Sequence, residues 1–313
     1  MNTNQIKIFS GSANPLLTEQ VIRLLKIPLS KSEVVRFANS EVKVTINESV
    51  KDKICVVIQP TANPTDTHLM ELFFFADALK RGEAKKIIAV IPYFGYARQN
   101  REHRPGESVS VNVVIRFLEN IGFDQVFAIN LHDEGTEGVF SISFKNLNGF
   151  SILGREVAHY LKNHKNTEEV AIVSPDQGGV ERAQIFAENF FHTNKVDIAV
   201  IEKRRNLNVP HQSKALNLYG KVRNKTCIIV DDIITSGGTL VHAADFCLKR
   251  GAKRVLACIV HHDFSPGAAD ILKKGKIEKI FMSNSIALRP DQRFRQLREI
   301  SIAPLIAEEI KKL

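Results

Sequence analysis

The stretch Cys227-Ile-Ile-Val-Asp-Asp-Ile-Ile-Thr-Ser-Gly-Gly-Thr239 constrains this chain more than any other. Its apolar run, Cys227 to Val230, predicts a strand buried on both faces, as in a parallel sheet. The run ends in two adjacent carboxylates, Asp231 and Asp232. Thr235-Ser236-Gly237-Gly238-Thr239 then opens a helical pattern through Leu240, Ala243, Ala244 and Cys247. Small residues at a helix start leave backbone N–H groups for an anion, and a phosphate suits them. The glycines permit close approach of the backbone. The carboxylates would repel that phosphate, but they suit hydroxyl groups or a metal ion. A phosphorylated sugar satisfies both halves of the motif. The plainer alternative is a strand–loop–helix turn in which Ser236 or Thr239 caps the helix.

Short apolar runs alternate with helical patterns along the whole chain. Strands are predicted near residues 6–9, 54–59, 87–92, 126–130, 170–174, 198–202, 227–231, 255–260 and 279–283. Helices are predicted near 15–26, 68–81, 109–121, 154–164, 179–191, 239–250 and 304–312, the first with Asn14 as cap and Pro15 at its first position. Such alternation predicts an α/β fold with mainly parallel sheets. With 313 residues, the chain has room for two domains, expected over 1–148 and 149–313.

The net charge of +9 admits nucleic acid or a polyanionic small molecule as partner. Lys and Arg are spread without a long run and Trp is absent, which favours the small molecule. The cysteines Cys55, Cys227, Cys247 and Cys258 form no CxxC pair, and three of them lie in apolar strand patterns. They predict buried thiols and a reducing cytoplasm. The N-terminal residues carry no signal core, and no stretch has the length of a membrane span.

Five further segments carry polar groups beyond predicted strands. Ser174-Pro-Asp176-Gln-Gly-Gly-Val180 repeats the logic of a carboxylate followed by glycines and a helix, with an N-capping turn as the alternative. Asn130-Leu-His132 places a histidine that is either a metal ligand, a proton carrier or structural. Pro92-Tyr-Phe-Gly-Tyr-Ala-Arg98-Gln99 leads into Arg101 and Arg104, cations able to grip phosphate or stack on a base. Phe37-Ala-Asn39-Ser-Glu41 reads as extended, with Asn39 and Glu41 facing one way as acceptors for a purine amino group, or as part of a hairpin strand with a polar outer face. Lys203-Arg204-Arg205 opens a polar stretch to about Leu216, read as a mobile loop carrying three cations.

Taken together, these motifs resemble the ribose-phosphate diphosphokinase (phosphoribosyl diphosphate synthase) family across nearly the whole chain. The resemblance implies two phosphoribosyltransferase-like domains, Mg²⁺, and transfer of the β,γ-diphosphoryl group of ATP to the C1 hydroxyl of ribose 5-phosphate. It also implies a homo-oligomer, dimers assembling to a hexamer. Carried over residue by residue, Phe37, Asn39 and Glu41 contact adenine, and Arg98 and Gln99 hold the nucleotide. His132 and Asp176 bind Mg²⁺, with His132 also placed among the catalytic groups. Lys203 and Arg205 stabilise the transferring group. Asp231 and Asp232 hold the ribose hydroxyls and associated metal, and Thr235, Ser236, Gly237, Gly238 and Thr239 cradle the 5-phosphate.

The chain departs from the family pattern in five places. Asn39 and Asn130 stand where Asp is common, and Thr235-Ser236 replaces Asp-Thr. Asp133-Glu-Gly-Thr-Glu137 replaces the segment that in many members borders the ADP/phosphate regulatory site. The chain also ends at Leu313 without a Ser-rich tail. Weakened phosphate activation and ADP inhibition are therefore expected. The rival reading is a non-catalytic regulatory paralogue. A phosphoribosyltransferase would not need Arg98, Gln99 and the 203–205 cations, and a nucleic-acid-binding protein leaves the strand-end acids unexplained.

Overall fold

Buried apolar strands set the architecture. The structure, a computed structural model, describes residues 5–102, 104–164, 169–193, 196–205 and 213–313. Close packing divides the chain into two units. Unit 1 takes residues 1–148, 285–287 and 301–313, and unit 2 takes 149–284 and 288–300. This differs from a simple cut between 148 and 149, because the last helix returns to unit 1.

Unit 1 contains β1 (Ile6–Ser10), α1 (Pro15–Leu25), β2 (Ser32–Arg36), β3 (Val42–Ile46), β4 (Ile54–Ile58), α2 (Thr65–Arg81), β5 (Lys86–Ile91), α3 (Ser110–Ile121), β6 (Gln125–Ile129) and β7 (Ser143–Leu147). Its main sheet runs β1-β4-β5-β6-β7, every pair parallel. All strands therefore end on one edge, and their following loops gather there. β2 and β3 form a separate antiparallel hairpin. Asn14 caps α1 as expected, its Oδ1 accepting from Leu17 N at 3.2 Å. α2 has no side-chain cap. Its buried stripe Leu72, Phe75 and Leu79 compensates. Each such side chain contributes roughly 1.5–3 kcal/mol, whereas a cap is worth about 1 kcal/mol.

Unit 2 contains α4 (Phe150–Asn163), β8 (Val170–Ser174), α5 (Val180–Phe191), β9 (Ala199–Arg205), β10 (Ser213–Tyr219), β11 (Thr226–Ile234), α6 (Gly238–Lys249), β12 (Arg254–His262), α7 (Ala268–Lys274), β13 (Lys279–Ser283) and β14 (Leu297–Ile300). The sheet order is β10-β9-β8-β11-β12-β13-β14, with β10 alone antiparallel to its neighbour. The described ends of the loop expected after Glu202 are paired strands instead, and residues 206–212 of it lie outside the described residues. β9 continues to Arg205, and Lys203, Arg204 and Arg205 pair with Ala215, Lys214 and Ser213. Backbone pairing to β10 overrides the polarity of the sequence there.

The final helix, α8 (Ala303–Ile310), packs on α1 within unit 1. Ile306 and Ile310 are fully buried. Glu309 is buried as well, and its carboxylate is paired with Lys145 and Lys312. Burial raises its pKa, but the hydrogen bonds and charges of the two lysines outweigh that and hold it below the ordinary value of 4.5. A lowered pKa stabilises the fold above the ordinary value, and the benefit is lost as pH falls through the lowered one. Glu309→Gln is therefore expected to cost about 1–3 kcal/mol at pH 7. In urea unfolding, the gap to the unmodified protein closes as the pH drops below 4.5. A gap that stays constant into acid would contradict this account.

Candidate active site

In unit 2, the chain leaves β8 through α5 to reach β9 on one side, and leaves β11 through α6 to reach β12 on the other. The crevice at such a reversal, beyond the carboxyl ends of the strands, is where open α/β sheets bind ligands. Asp176 follows β8, and Asp231 and Asp232 lie near the end of β11. They are not at its last residue, as the sequence suggests. β11 continues to Ile234, with Ile233 and Ile234 still paired to His261 and His262 of β12.

Four charged side chains meet here. Nη2 of Arg182, on the first turn of α5, lies 3.3 Å from Oδ1 of Asp231 and 3.1 Å from Oδ1 of Asp232. The N–H of Asp232 also donates to Oδ1 of Asp231 at 3.0 Å. Desolvation, reinforced by the neighbouring Asp232 carboxylate, pushes the pKa of Asp231 well above its ordinary value, while Arg182 opposes the shift. Burial disfavours the Arg182 cation, but Asp232, Asp231 and Asp176 more than offset it, so its pKa rises. Arg182 was not among the residues expected from sequence. Asp176 performs the capping role considered for it: its Oδ1 accepts from Gly179 N at 3.1 Å.

The loop after β11 behaves differently. Gly237 is the N-cap of α6, and no side chain caps the helix, so neither Ser236 nor Thr239 does so. The first-turn N–H groups of α6 thus have no side-chain oxygen drawn onto them. Gly237 has φ +78°, and a Cβ there would lie 2.9 Å from Leu272 Cγ. Only glycine fits that turn. Thr235 O accepts from Ser265 N at 3.2 Å, which ties the loop to the segment before α7. Ser236 and Thr239 are exposed.

In unit 1, the loops after β4, β5 and β6 are linked by hydrogen bonds. Gly95 N donates to Thr61 Oγ1 at 2.7 Å. A Cβ on Gly95 would lie 2.4 Å from Thr61 O, so the two loops meet at backbone distance. Tyr96, at φ +65°, donates its hydroxyl to Asp66. Arg98 and Gln99 follow and are exposed. Gln99 is tethered to the start of α3: its Oε1 accepts from Ser110 Oγ at 2.6 Å and its carbonyl from Val111 N at 3.3 Å. Asn100 donates to Asp133, next to the half-buried His132. Asn130 has φ +43°, a conformation that Asn and Asp tolerate better than most residues. The replacement of Asp by Asn at that position therefore suits the backbone.

Phe37, Asn39 and Glu41 do not form the extended segment expected. They make the turn between β2 and β3, closed by Phe37 N donating to Glu41 O at 2.8 Å, with Ser40 at φ +73°. Asn39 Oδ1, expected to accept from a purine, accepts from Glu41 N at 3.2 Å. A short polar side chain bonding its own backbone two residues on is the reason such residues favour turns. All three residues are exposed, Phe37 by 46%. Lys203 and Arg205 stand on the last residues of β9, and their side chains lie outside what the structure describes.

His132 belongs to unit 1, and Asp176, Asp231 and Asp232 to unit 2. Among the described residues no group of three or more His, Cys, Asp or Glu forms a metal cage. The carboxylates of unit 2 are nonetheless the oxygen donors that Mg²⁺ takes, and that ion needs only one or two of them when substrate phosphates supply the rest.

Comparison with known proteins gives one consistent answer. Residues 6–122 match the model of the N-terminal domain of ribose phosphate pyrophosphokinase, and residues 143–284 match that of the phosphoribosyl transferase domain. The chain is 38% identical over 305 residues to a ribose-phosphate pyrophosphokinase from Bacillus subtilis, covering 97% of this chain and 93% of the relative. It is 39% identical over 316 residues to one from Ralstonia nicotianae, covering 100% and 96%. The crystal structure of phosphoribosylpyrophosphate synthetase from Mycobacterium smegmatis superposes with a TM-score of 0.88 at 32% identity, covering 98% of each chain.

The raised pKa of Asp231 has a stability consequence. Stability from a raised carboxyl pKa is complete below the ordinary value of 3.8 and is lost as pH rises through the raised one. Asp231→Asn removes that loss. Denaturation of the substrate-free protein is expected to show the variant gaining on the unmodified chain as pH rises above 3.8. A variant less stable at every pH would refute the assignment.

Proposed function

The chain belongs to the ribose-phosphate pyrophosphokinase family, and on that premise we propose how its residues divide the reaction. It is a transferase of nucleotide biosynthesis. The C1 hydroxyl of ribose 5-phosphate attacks the β-phosphorus of ATP, the bond from that phosphorus to the α–β bridging oxygen breaks, and AMP leaves with phosphoribosyl diphosphate as the other product. Both domains are phosphoribosyltransferase-like.

We assign ribose 5-phosphate to unit 2. The observation that carries this is the uncapped N-terminus of α6 following two aspartates on the same strand. The amides of residues 235–239 receive the 5-phosphate, with the Ser236 and Thr239 hydroxyls as added donors. Asp231 and Asp232 accept from the ribose hydroxyls. ATP belongs to unit 1. Phe37 offers an exposed ring for adenine, and Glu41 takes the acceptor role, since the Asn39 oxygen is engaged within its turn. Arg98 and Gln99 hold the phosphates and ribose of the nucleotide, on a loop that Asp66, Thr61 and Ser110 brace.

His132 and Asp176 are the residues assigned to Mg²⁺, which when bound neutralises phosphate oxygens and orients them. The protein needs no nucleophile of its own. Lys203 and Arg205 supply positive charge to the transferring group, and positioning supplies the remainder. Asp133 caps the 3₁₀ helix Glu134–Val139, and the departure of Asp133–Glu137 from the family pattern is what supports altered phosphate and ADP control.

Self-association is supported by an exposed apolar surface on unit 1. Met70 and Phe74 lie one turn apart on α2, and Val113 and Phe117 one turn apart on α3, each at least 36% exposed. We propose a homo-oligomer through this face. Among the described residues no helix is long and apolar enough to cross a membrane. All four cysteines are buried free thiols, which supports a cytoplasmic location.

AMP release from MgATP, followed with and without ribose 5-phosphate across a phosphate scan, tests the reading. AMP that forms only with the sugar is the expected result, with a flat response to phosphate. No AMP from folded protein would instead select the non-catalytic paralogue. Gly237→Ala is expected to raise the KM for ribose 5-phosphate at least ~10-fold while leaving that for ATP nearly unchanged, because the added methyl deforms the turn that opens the phosphate loop.

A further inference from the structure

Asp231 and Asp232 are neighbours on a regular strand, and successive strand side chains leave the sheet on opposite faces. Their like charges also repel. Nothing in the strand itself would bring the two carboxylates to a common point. Yet one nitrogen, Nη2 of Arg182, lies 3.3 Å from one and 3.1 Å from the other. The side chains of Arg182, Asp231 and Asp232 are only 17%, 18% and 3% exposed, so the charges meet largely out of water, where such attractions are strong. Arg182 has donors but no acceptor atom, so it cannot take the hydroxyl protons that the two carboxylates can accept.

We propose that Arg182 is a positioning residue for the sugar: its guanidinium draws Asp231 and Asp232 together into a paired acceptor that reads two neighbouring hydroxyls of ribose 5-phosphate. The inference rests on the assignment of those carboxylates to the ribose hydroxyls. It gives Arg182 a specific effect, discrimination between sugars. A sugar lacking one hydroxyl leaves an aligned, desolvated carboxylate oxygen without its donor, and that omission is costly only while the oxygen is held in place. Release Asp231 and Asp232 to turn apart, and the penalty for the missing hydroxyl shrinks.

The test compares kcat/KM for ribose 5-phosphate and 2-deoxyribose 5-phosphate, at saturating MgATP, in the unmodified enzyme, Arg182→Met and Arg182→Lys. The unmodified enzyme is expected to prefer the ribose form at least ~100-fold. Arg182→Met lowers that preference at least ~10-fold, mainly through the KM for ribose 5-phosphate, with the KM for ATP changed less than ~2-fold. Arg182→Lys, which keeps the charge but not the fork, falls between the two. Because both sugars are measured on one preparation, the ratio does not depend on how much of a variant is folded. If both variants lose activity on the two sugars by the same factor, or retain the full preference, Arg182 only supports the fold and the inference fails. An unmodified enzyme without preference would overturn the carboxylate assignment itself.

Discussion

The parallel pairing of β8 with β11 is the constraint on which the charged crevice of unit 2 depends. Parallel strands end on the same edge of a sheet, so Asp176 and the Asp231–Asp232 pair arrive together although more than fifty residues separate them. The reversal of chain direction between these strands then opens a crevice into which α5 sends Arg182 and beyond which α6 presents its N-terminus. Three carboxylates at such a point would be untenable alone. Arg182 offsets their repulsion, and its own burial is tolerated because they surround it. The crevice is thus a balance in which each charge makes the others possible.

Unit 1 solves a different problem with the same geometry. Its loops are braced by hydrogen bonds rather than by a cluster of ion pairs, several of them donated to carboxylates. Buried Glu71 accepts from Ser12 N and Ser12 Oγ, both at 2.6 Å, and from Gln59 Nε2 at 3.0 Å, which joins the loops after β1 and β4. Thr61 then joins the loop after β4 to that after β5, and Asn100 joins the latter to the turn after β6. The exposed Arg98 and Gln99 stand on a framework that is already connected from strand to strand.

Much of this was legible in the sequence because central strands of a parallel sheet must be apolar on both faces. The runs at β4, β5, β6, β8, β11, β12 and β13 announce themselves. Of the strands without such a run, β2 and β3 form the separate hairpin, and β7, β10 and β14 are sheet edges, where Ser143-Phe-Lys-Asn-Leu147 or Leu297-Arg-Glu-Ile300 shows how one open side admits polar residues and erases the run. The turn at Phe37–Glu41 is not legible in the alternation of polar residues, because Asn39 competes for its own backbone through a local bond that alternation does not reveal. Arg182 was missed for another reason. A lone arginine in the first turn of a helix looks like a solvated surface group, and only the crossing of α5 over β11 turns it inward. The one available signal was its spacing six residues after Asp176, across a glycine pair.

β11 does not stop at its acids. Two further residues, Ile233 and Ile234, keep it registered with β12, so the backbone beneath Asp231 and Asp232 belongs to a central strand rather than to a loop. A ligand held at that point demands no freezing of a floppy segment, and the entropy loss that commonly accompanies capture by a loop is taken during folding instead. The corollary concerns the chain's tolerance to change. Residues on a flexible loop can drift and still find their ligand, whereas Asp231 and Asp232 are bound to the rotation and register of a central strand. A slip of one residue in that strand would exchange the faces of every side chain on it. The same rigidity that readies the site makes its geometry hostage to the packing of the sheet far from any substrate.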